Sequence, residues 1–141
     1  MKNNQAPIKI GITGGIGSGK SYVCHLLEQR GIEVYDCDAA AKRLIRTSTR
    51  LRQQLQELIG SLQKADISRF LLASEENQQA VNAIVHPAVF HDFEASGMQW
   101  MESAILFESG ADKLVDKVVV VTAPEDSLKR SIRRLVAFWL A

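Results

Sequence analysis

The octapeptide Gly14-Gly15-Ile16-Gly17-Ser18-Gly19-Lys20-Ser21 lies between two segments with different hydrophobic periodicity. Over Ile8–Ile12, isoleucine alternates with other residues, which predicts a short β-strand that runs into the octapeptide. Apolar residues then recur at helical spacing over Ser21–Arg30, and Gly31 follows as a helix stop signal. The octapeptide is therefore predicted to be a glycine-rich turn from a strand into a helix.

This turn satisfies every fixed position of the Walker A pattern, G-x-x-x-x-G-K-S/T, in the structural context that the pattern requires. Backbone N–H groups of such a loop form a concave nest around phosphate oxygens. Within it, Lys20 would reach the β and γ phosphates of ATP and act in catalysis, and the Ser21 hydroxyl would ligate Mg²⁺. We expect the nucleotide to be bound by Gly14, Gly15, Gly17, Ser18, Gly19, Lys20, Ser21 and Tyr22.

Two other interpretations of the turn are less consistent with its residues. A glycine-rich turn that binds nothing would not need the full pattern in its full context. A dinucleotide-binding turn could start at Gly15-x-Gly17, with Asp36 at a suitable distance to hold a ribose. However, Lys20 stands where the third glycine of that fingerprint belongs. Lysine followed by serine favours the phosphate-binding loop.

The composition is that of an ordinary globular domain, since 46% of the 141 residues are hydrophobic and 23% are charged. A net charge of +1 does not suggest attraction to nucleic acid or anionic lipid. Cys24 and Cys37 lack the spacing of a zinc site and the density of a disulfide scaffold. No apolar run approaches the roughly 18 residues of a spanning helix. We expect a cytoplasmic protein, a monomer or weak oligomer, that binds neither nucleic acid nor membrane.

The middle of the chain predicts one strand followed by several helices. Ile32–Tyr35 is a short apolar run typical of a strand. Amphipathic helical spacing follows between Asp38 and Gly60, where the glycine marks a helix end. Another helix is predicted to begin at Ser74 and to be interrupted at His86-Pro87, with a new helix after the proline.

The last third of the chain predicts further strands. Ala104–Phe107 and Val118–Val121 are continuous apolar runs, the pattern of strands covered on both faces by helices at the centre of a sheet. A last helical stretch opens at Pro124. The predicted fold is a three-layer α/β domain over residues 1–141, with a parallel sheet, helices on both faces and a helical insertion at about 38–98.

Two aspartates follow the second predicted strand. Asp36 and Asp38 lie at its carboxyl end, the edge at which open α/β sheets bind their ligands. A carboxylate there can accept the proton of an attacking hydroxyl, or position Mg²⁺ through water. Equally, Asp38 can cap the following helix through backbone N–H groups. The residues alone leave both interpretations open.

The segment Gly11–Ser21, followed by Tyr35–Asp38, resembles the dephospho-CoA kinase family. Three further segments resemble that family in the same order: His86-Pro87, Ile105–Gly110 and Val118–Pro124. The resemblance implies a P-loop NTPase fold and transfer of the γ-phosphate of ATP to the ribose 3′-hydroxyl of dephospho-CoA. It also implies that Mg²⁺ takes part.

The resemblance assigns roles to individual residues. Asp38 would activate the acceptor hydroxyl. Lys42 stands where the family tends to place arginine, and it begins a basic stretch to Arg52 that otherwise resembles a solvated helix face. Glu102 and Glu108, at the two ends of an apolar strand, are candidates for assisting Mg²⁺ through water. Residues implied to bind the acceptor substrate are Asp36, Lys42, His86, Phe107 and Glu108.

The resemblance changes near the end of the chain. The segment from about residue 128 resembles the start of the family's lid region, in which Arg130 would bind the nucleotide and Arg134 would act in catalysis. The likeness to the family stops at Leu135, and Gly60–Phe70 is shorter than the matching family segment. Two alternatives to an active kinase therefore stay open: a nucleotide-binding remnant without catalysis, and another small P-loop nucleoside or nucleotide kinase.

Overall fold

The computed structural model of the chain describes residues 7–15 and 17–122. The chain divides into two compact units. The sheet unit contains the chain up to Tyr35 and from Met98 onwards, and the helical unit is Asp36–Gly97. The helix predicted from Pro124 and the lid arginines, Arg130 and Arg134, lie outside the described residues.

Within residues 7–15 and 17–122, four strands form one sheet in the order β2-β3-β1-β4. Their bounds are Ile10–Thr13 for β1, Val34–Asp36 for β2, Trp100–Glu102 for β3 and Lys117–Val120 for β4. β1 pairs in parallel with both β3 and β4. Helices connect these strands along the chain, so the predicted α/β class with a parallel sheet is confirmed.

β1 is a buried central strand with little room around its backbone. Ile12 is fully buried, and so is Met101 of β3, which lies beside Gly11 in the sheet register. A Cβ atom on Gly11 would lie 3.0 Å from a side-chain carbon of Leu106 and 3.2 Å from one of Val115. The glycine therefore lets the segment after β3 pack closely against β1.

The strand predicted at Ala104–Phe107 is wrong, because β3 ends at Glu102 and the predicted run forms turns. The Ser103 N–H donates to the Ile12 carbonyl at 3.0 Å, and the Ser103 hydroxyl then accepts from the Ile105 N–H at 3.2 Å. This side-chain bond favours a turn over continued pairing. In the turn Leu106 is buried, while Ile105 and Phe107 are half-exposed.

β4 matches the predicted strand at Val118–Val121, but its position in the sheet differs from the prediction. In the described part of the chain β4 lies at an edge of the sheet, next to β1. Val119 and Val120 are accordingly 41% and 55% exposed. An apolar run predicts a strand from local residues, whereas its place in the sheet depends on pairings far along the chain.

Helix α1, Lys20–Gln29, follows the turn as predicted. It ends because Gly31 adopts a left-handed φ of 81°. The Gly31 N–H then donates to the Glu28 carbonyl and the Ile32 N–H to the Leu27 carbonyl, both at 3.0 Å. These two bonds satisfy carbonyls that the end of a helix leaves without partners.

The helical unit contains α2, α3, α4 and α5, which span Cys37–Thr47, Thr49–Ile59, Lys64–Ala73 and Glu75–Ser96. α5 packs against each of the other three. Its buried side chains recur every four residues and comprise Val81, Val85, Val89 and Phe93. Burial of each such side chain contributes about 1.5–3 kcal/mol, so α5 carries much of the core of this unit.

The predicted break at His86-Pro87 is wrong, because α5 is one helix of 22 residues that contains Pro87. Proline cannot donate to the carbonyl four residues earlier, which normally disfavours a helix interior. Here the buried face continues on both sides of Pro87, from Val85 to Val89. Tertiary packing of that face therefore outweighs the lost hydrogen bond.

The other helix limits follow local capping signals. The predicted start at Ser74 is confirmed, since its hydroxyl accepts from the Asn77 N–H at 3.1 Å. The Asn77 side chain in turn donates to the Phe70 carbonyl at 2.9 Å, which ties the end of α4 to the start of α5. The predicted end of α3 at Gly60 is also confirmed, with a left-handed φ of 84°. None of the described helices combines the length and apolarity needed to cross a bilayer.

Candidate active site

The glycine-rich turn occupies the position that the sequence predicts. β1 ends at Thr13 and α1 begins at Lys20, so the turn lies at the carboxyl end of a central strand and the N-terminus of a helix. The first turn of α1 has no side-chain cap and no acidic residue. Its N–H groups and the positive end of the helix dipole therefore favour an anion.

The glycines of the turn have distinct roles. Gly17 and Gly19 adopt φ values of 76° and 92°, a region that only glycine enters readily. A Cβ atom on Gly14 would lie 2.6 Å from Ser18 Oγ and 2.7 Å from the Val121 carbonyl oxygen. On Gly15 the same atom would meet nothing within 4 Å. Gly14 is thus required for packing, whereas Gly15 borders the open side of the turn.

Ser18 provides a direct test of whether the turn fits a phosphate. Its hydroxyl is buried and has no hydrogen-bond partner among the described residues. Leaving a buried hydroxyl without a hydrogen-bond partner costs about 1–3 kcal/mol of stability, so such a group favours a ligand that can supply the partner. A phosphate oxygen in the turn is a suitable acceptor, and the residues present fit a nucleotide phosphate chain.

Lys20 forms an ion pair with Glu102. Both side chains are largely shielded from solvent, with 15% and 18% of their areas exposed. Glu102 is the last residue of β3 and lies beside Ile12 of β1 in the sheet register. An acidic residue at the end of a strand next to β1 is therefore part of the site. From sequence alone, Glu102 is only one of two candidates, because the strand is predicted to begin after this residue.

The predicted magnesium ligand, Ser21, lies at the start of α1. Ser21 and Tyr22 lie on the exposed first turn of α1, and Tyr22 is 67% exposed. Within the described residues no group of three or more histidine, cysteine or acidic side chains lies together to hold a metal. The role of Ser21 as a magnesium ligand stays a prediction.

The structure separates the roles of the two aspartates that begin the helical unit. Asp36 is the N-cap of α2, and its Oδ1 accepts from the Ala39 N–H at 3.1 Å. Asp38 lies in the first turn, where its carboxylate is 82% exposed and 3.3 Å from Lys42 Nζ. The interpretation of Asp38 as the helix cap is wrong, because the extended backbone of Asp36 places that side chain at the cap instead.

His86 projects from the middle of α5, where its ring stacks on Phe90 with centroids 6.0 Å apart. Partial burial lowers the pKa of the imidazole below its usual value of 6.5. This shift favours the neutral imidazole, in which one ring nitrogen donates a hydrogen bond and the other accepts one.

The remaining expected substrate residues lie in two different units. Lys42 belongs to the helical unit, together with Asp36 and His86. Phe107 and Glu108 belong to the sheet unit, in the exposed turn after β3. Within the helical unit, Lys42 forms an ion pair with Asp38. The substrate roles of the whole set stay predictions.

The basic stretch from Lys42 to Arg52 is only partly a solvated face. Arg46 and Arg50 are exposed, as that interpretation predicts. However, Arg43 forms an ion pair with Asp92 of α5, and Arg52 donates to the Ile45 carbonyl at the end of α2 at 3.0 Å. These two arginines connect helices of the helical unit. Their partners are distant along the chain or on the backbone, so charge patterning could not reveal them.

Comparison with known proteins gives consistent results. The family model described as dephospho-CoA kinase matches residues 8–137. A dephospho-CoA kinase from Bacteroides fragilis is 43% identical over 142 residues, which cover 90% of this chain and 69% of the relative. One from Porphyromonas gingivalis is 44% identical over 135 residues, covering 84% and 65%. A crystal structure of a Thermus thermophilus protein aligns with a TM-score of 0.72 and 32% identity, covering 91% of this chain and 72% of that one.

Proposed function

This chain belongs to the dephospho-CoA kinase family, and from that premise we propose that it transfers the γ-phosphate of ATP to the ribose 3′-hydroxyl of dephospho-CoA. The products are coenzyme A and ADP. The observation that carries the proposal is the turn before α1, which combines an uncapped helix N-terminus with a buried Ser18 hydroxyl that has no partner among the described residues. The family match disfavours both a non-catalytic remnant and a kinase for other nucleotides.

ATP is held by its phosphate chain in this proposal. The N–H groups of the turn and of the first turn of α1 donate to phosphate oxygens. Gly15 leaves the approach to the backbone open, and Ser18 supplies its hydroxyl from within the turn. Lys20 places its ammonium group on the β and γ phosphates, where negative charge is greatest. Arg130 and Arg134, as lid residues, would stabilise the charge that develops as the phosphoryl group moves.

The Ser21 hydroxyl and the Glu102 carboxylate would hold Mg²⁺, since hydroxyl and carboxylate oxygens suit this hard cation. When bound, the ion neutralises charge on the phosphate oxygens and helps to orient them. Glu102 lies next to Lys20 and at the end of β3, whereas Glu108 lies beyond it in an exposed turn. This difference favours Glu102 over Glu108 as the acidic partner of the metal.

Asp38 acts as the general base in this proposal and takes the proton of the 3′-hydroxyl as that oxygen attacks phosphorus. Its carboxylate suits the role because Asp36, and not Asp38, caps α2, which leaves the Asp38 side chain exposed. Lys42 is close enough to orient Asp38 or to bind an acidic group of the acceptor. His86 would contribute a hydrogen bond from its neutral ring.

The test is an assay of ADP release from ATP and Mg²⁺ with and without dephospho-CoA. We expect release to depend on the acceptor, to be lost in Lys20→Ala and to fall by about 10²–10⁴-fold in Asp38→Asn. Lys113→Ala is the matched control, because it removes an exposed ammonium group from the sheet unit outside the turn. The proposal would be contradicted by a rate of ADP release that is the same with and without dephospho-CoA, or by an Asp38→Asn variant with full turnover. The cytoplasmic location and the monomeric or weakly oligomeric state stay predictions from composition.

A further inference from the structure

The ion pair between Lys20 and Glu102 occupies the ammonium group that the proposed function assigns to phosphate. The backbone that carries the carboxylate is held in the sheet, because the N–H of the next residue, Ser103, donates to the Ile12 carbonyl at 3.0 Å. The ammonium group comes from the first residue of α1. Lys20 must therefore exchange Glu102 for phosphate oxygens when a nucleotide enters the turn.

This exchange is costly unless Glu102 gains a new partner. Both side chains are largely shielded from solvent, at 15% and 18% exposure. Removing one member of a shielded pair leaves the other charge without compensation. In this case the remaining charge is a carboxylate, and the entering group is a polyphosphate of the same sign. A nucleotide that arrives without a cation therefore loses the pair and adds repulsion.

A nucleotide that arrives with a divalent cation does not incur this cost to the same extent. The cation attracts the carboxylate that Lys20 leaves, and it reduces the charge of the phosphate chain. The same carboxylate thus opposes metal-free nucleotide and favours the metal-bound form. We infer that Glu102 selects the metal-bound nucleotide by holding Lys20 until a phosphate chain and a divalent cation enter together. This inference rests on the proposed function, since it requires that the turn binds ATP.

The inference predicts the metal dependence of ATP binding, which a purely structural ion pair would not affect. The experiment measures the Kd of ATP by titration calorimetry, once in EDTA and once in excess Mg²⁺. For the unmodified chain we expect binding to be at least about tenfold weaker in EDTA. In Glu102→Gln, which keeps the size of the side chain and removes its charge, metal-free ATP should bind about tenfold more tightly than to the unmodified chain. Binding in Mg²⁺ should stay equal or weaken, so the ratio of the two constants collapses.

Glu28→Gln is the matched control, because it makes the same change at an exposed position of α1 and should keep the ratio of the unmodified chain. Glu102→Asp retains the charge on a shorter side chain, so its ratio should stay well above that of Glu102→Gln. It replaces the glutamine variant as the test if that variant does not fold. For Glu102→Asp, an unchanged or larger metal dependence would agree with the inference, and a ratio near one would overturn it.

Two results would overturn the inference alone. One is a Glu102→Gln variant with the same ratio as the unmodified chain, and the other is weaker binding of ATP in EDTA as well as in Mg²⁺. In both cases the unmodified chain would still bind ATP, and the proposed function would stand. If the unmodified chain binds ATP in neither solution, the proposed function fails, and the selection by Glu102 fails with it.

Discussion

Replacement of Gly14 by alanine tests how tightly the turn is packed. The new Cβ atom would lie 2.6 Å from Ser18 Oγ and 2.7 Å from the Val121 carbonyl oxygen. Neither position is compatible with van der Waals radii, so one of the neighbours must move. Ser18 is buried, and the Val121 backbone is held by a 2.8 Å hydrogen bond from its N–H to the Thr13 carbonyl. We therefore expect Gly14→Ala to strain the end of β1.

The size of the effect follows from comparison with Gly15→Ala. Both changes remove the same freedom from the unfolded chain, which by itself stabilises by about 0.4–1 kcal/mol. Gly15→Ala adds no contact, because its Cβ atom meets nothing within 4 Å. Gly14→Ala adds the cost of overpacking, about 1–3 kcal/mol. The free energies of unfolding of the two variants should thus differ by about 1–3 kcal/mol, with Gly14→Ala the less stable.

Urea denaturation followed by circular dichroism measures this difference. With a slope of about 2 kcal/mol per molar urea, the two midpoints should differ by about 0.5–1.5 M. The Gly15→Ala variant should fold normally but bind ATP more weakly, because its methyl group lies on the open side of the turn. A midpoint for Gly14→Ala equal to or above that of Gly15→Ala would refute the packing argument.

Two further predictions concern the helical unit. Asp36→Ala should lower the free energy of unfolding by about 0.5–2 kcal/mol, since it removes the cap on the Ala39 N–H, whereas Asp38→Ala should change it by less than about 0.5 kcal/mol. Urea midpoints compare the two, and equal losses would contradict the assignment of the cap. Burial lowers the pKa of His86 in the folded protein. At pH values below 6.5 the unfolded chain therefore binds the proton more readily, and the free energy of unfolding decreases as the pH is lowered. The fall in midpoint between pH 8 and pH 5.5 should be smaller in His86→Asn, and an equal fall in both proteins would show that this histidine does not cause it.

The parts of the fold and site that could be predicted from sequence are those fixed by neighbouring residues. The turn before α1 needs glycine at positive φ, and Gly17 and Gly19 provide it within the pattern itself. The helix limits at Gly31, Gly60 and Ser74 depend on backbone conformation or on one side-chain hydrogen bond three residues away. Such signals act over a few residues, so they are visible without knowledge of the fold.

The errors arose where a distant part of the chain decides the outcome. The apolar run after β3 forms a turn in which the buried Leu106 packs against Gly11 of β1. Val89 lies beyond Pro87 on a buried face that keeps α5 continuous. Glu102 lies beside Lys20 because β3 pairs with β1, a pairing that local sequence patterns do not reveal. In each case a contact between residues far apart in the sequence decides the structure, and the pattern of neighbouring residues does not show it.

The position of α5 in the helical unit also determines how that unit loses its structure. α2, α3 and α4 each pack on α5, and their contacts with one another are less extensive. If α5 detaches, three interfaces disappear together and the remaining helices are short. Isolated helices of 10 or 11 residues are marginal in water. The four helices therefore depend on one another for their stability. We expect a substitution that destabilises α5 to unfold the whole helical unit in a single cooperative step.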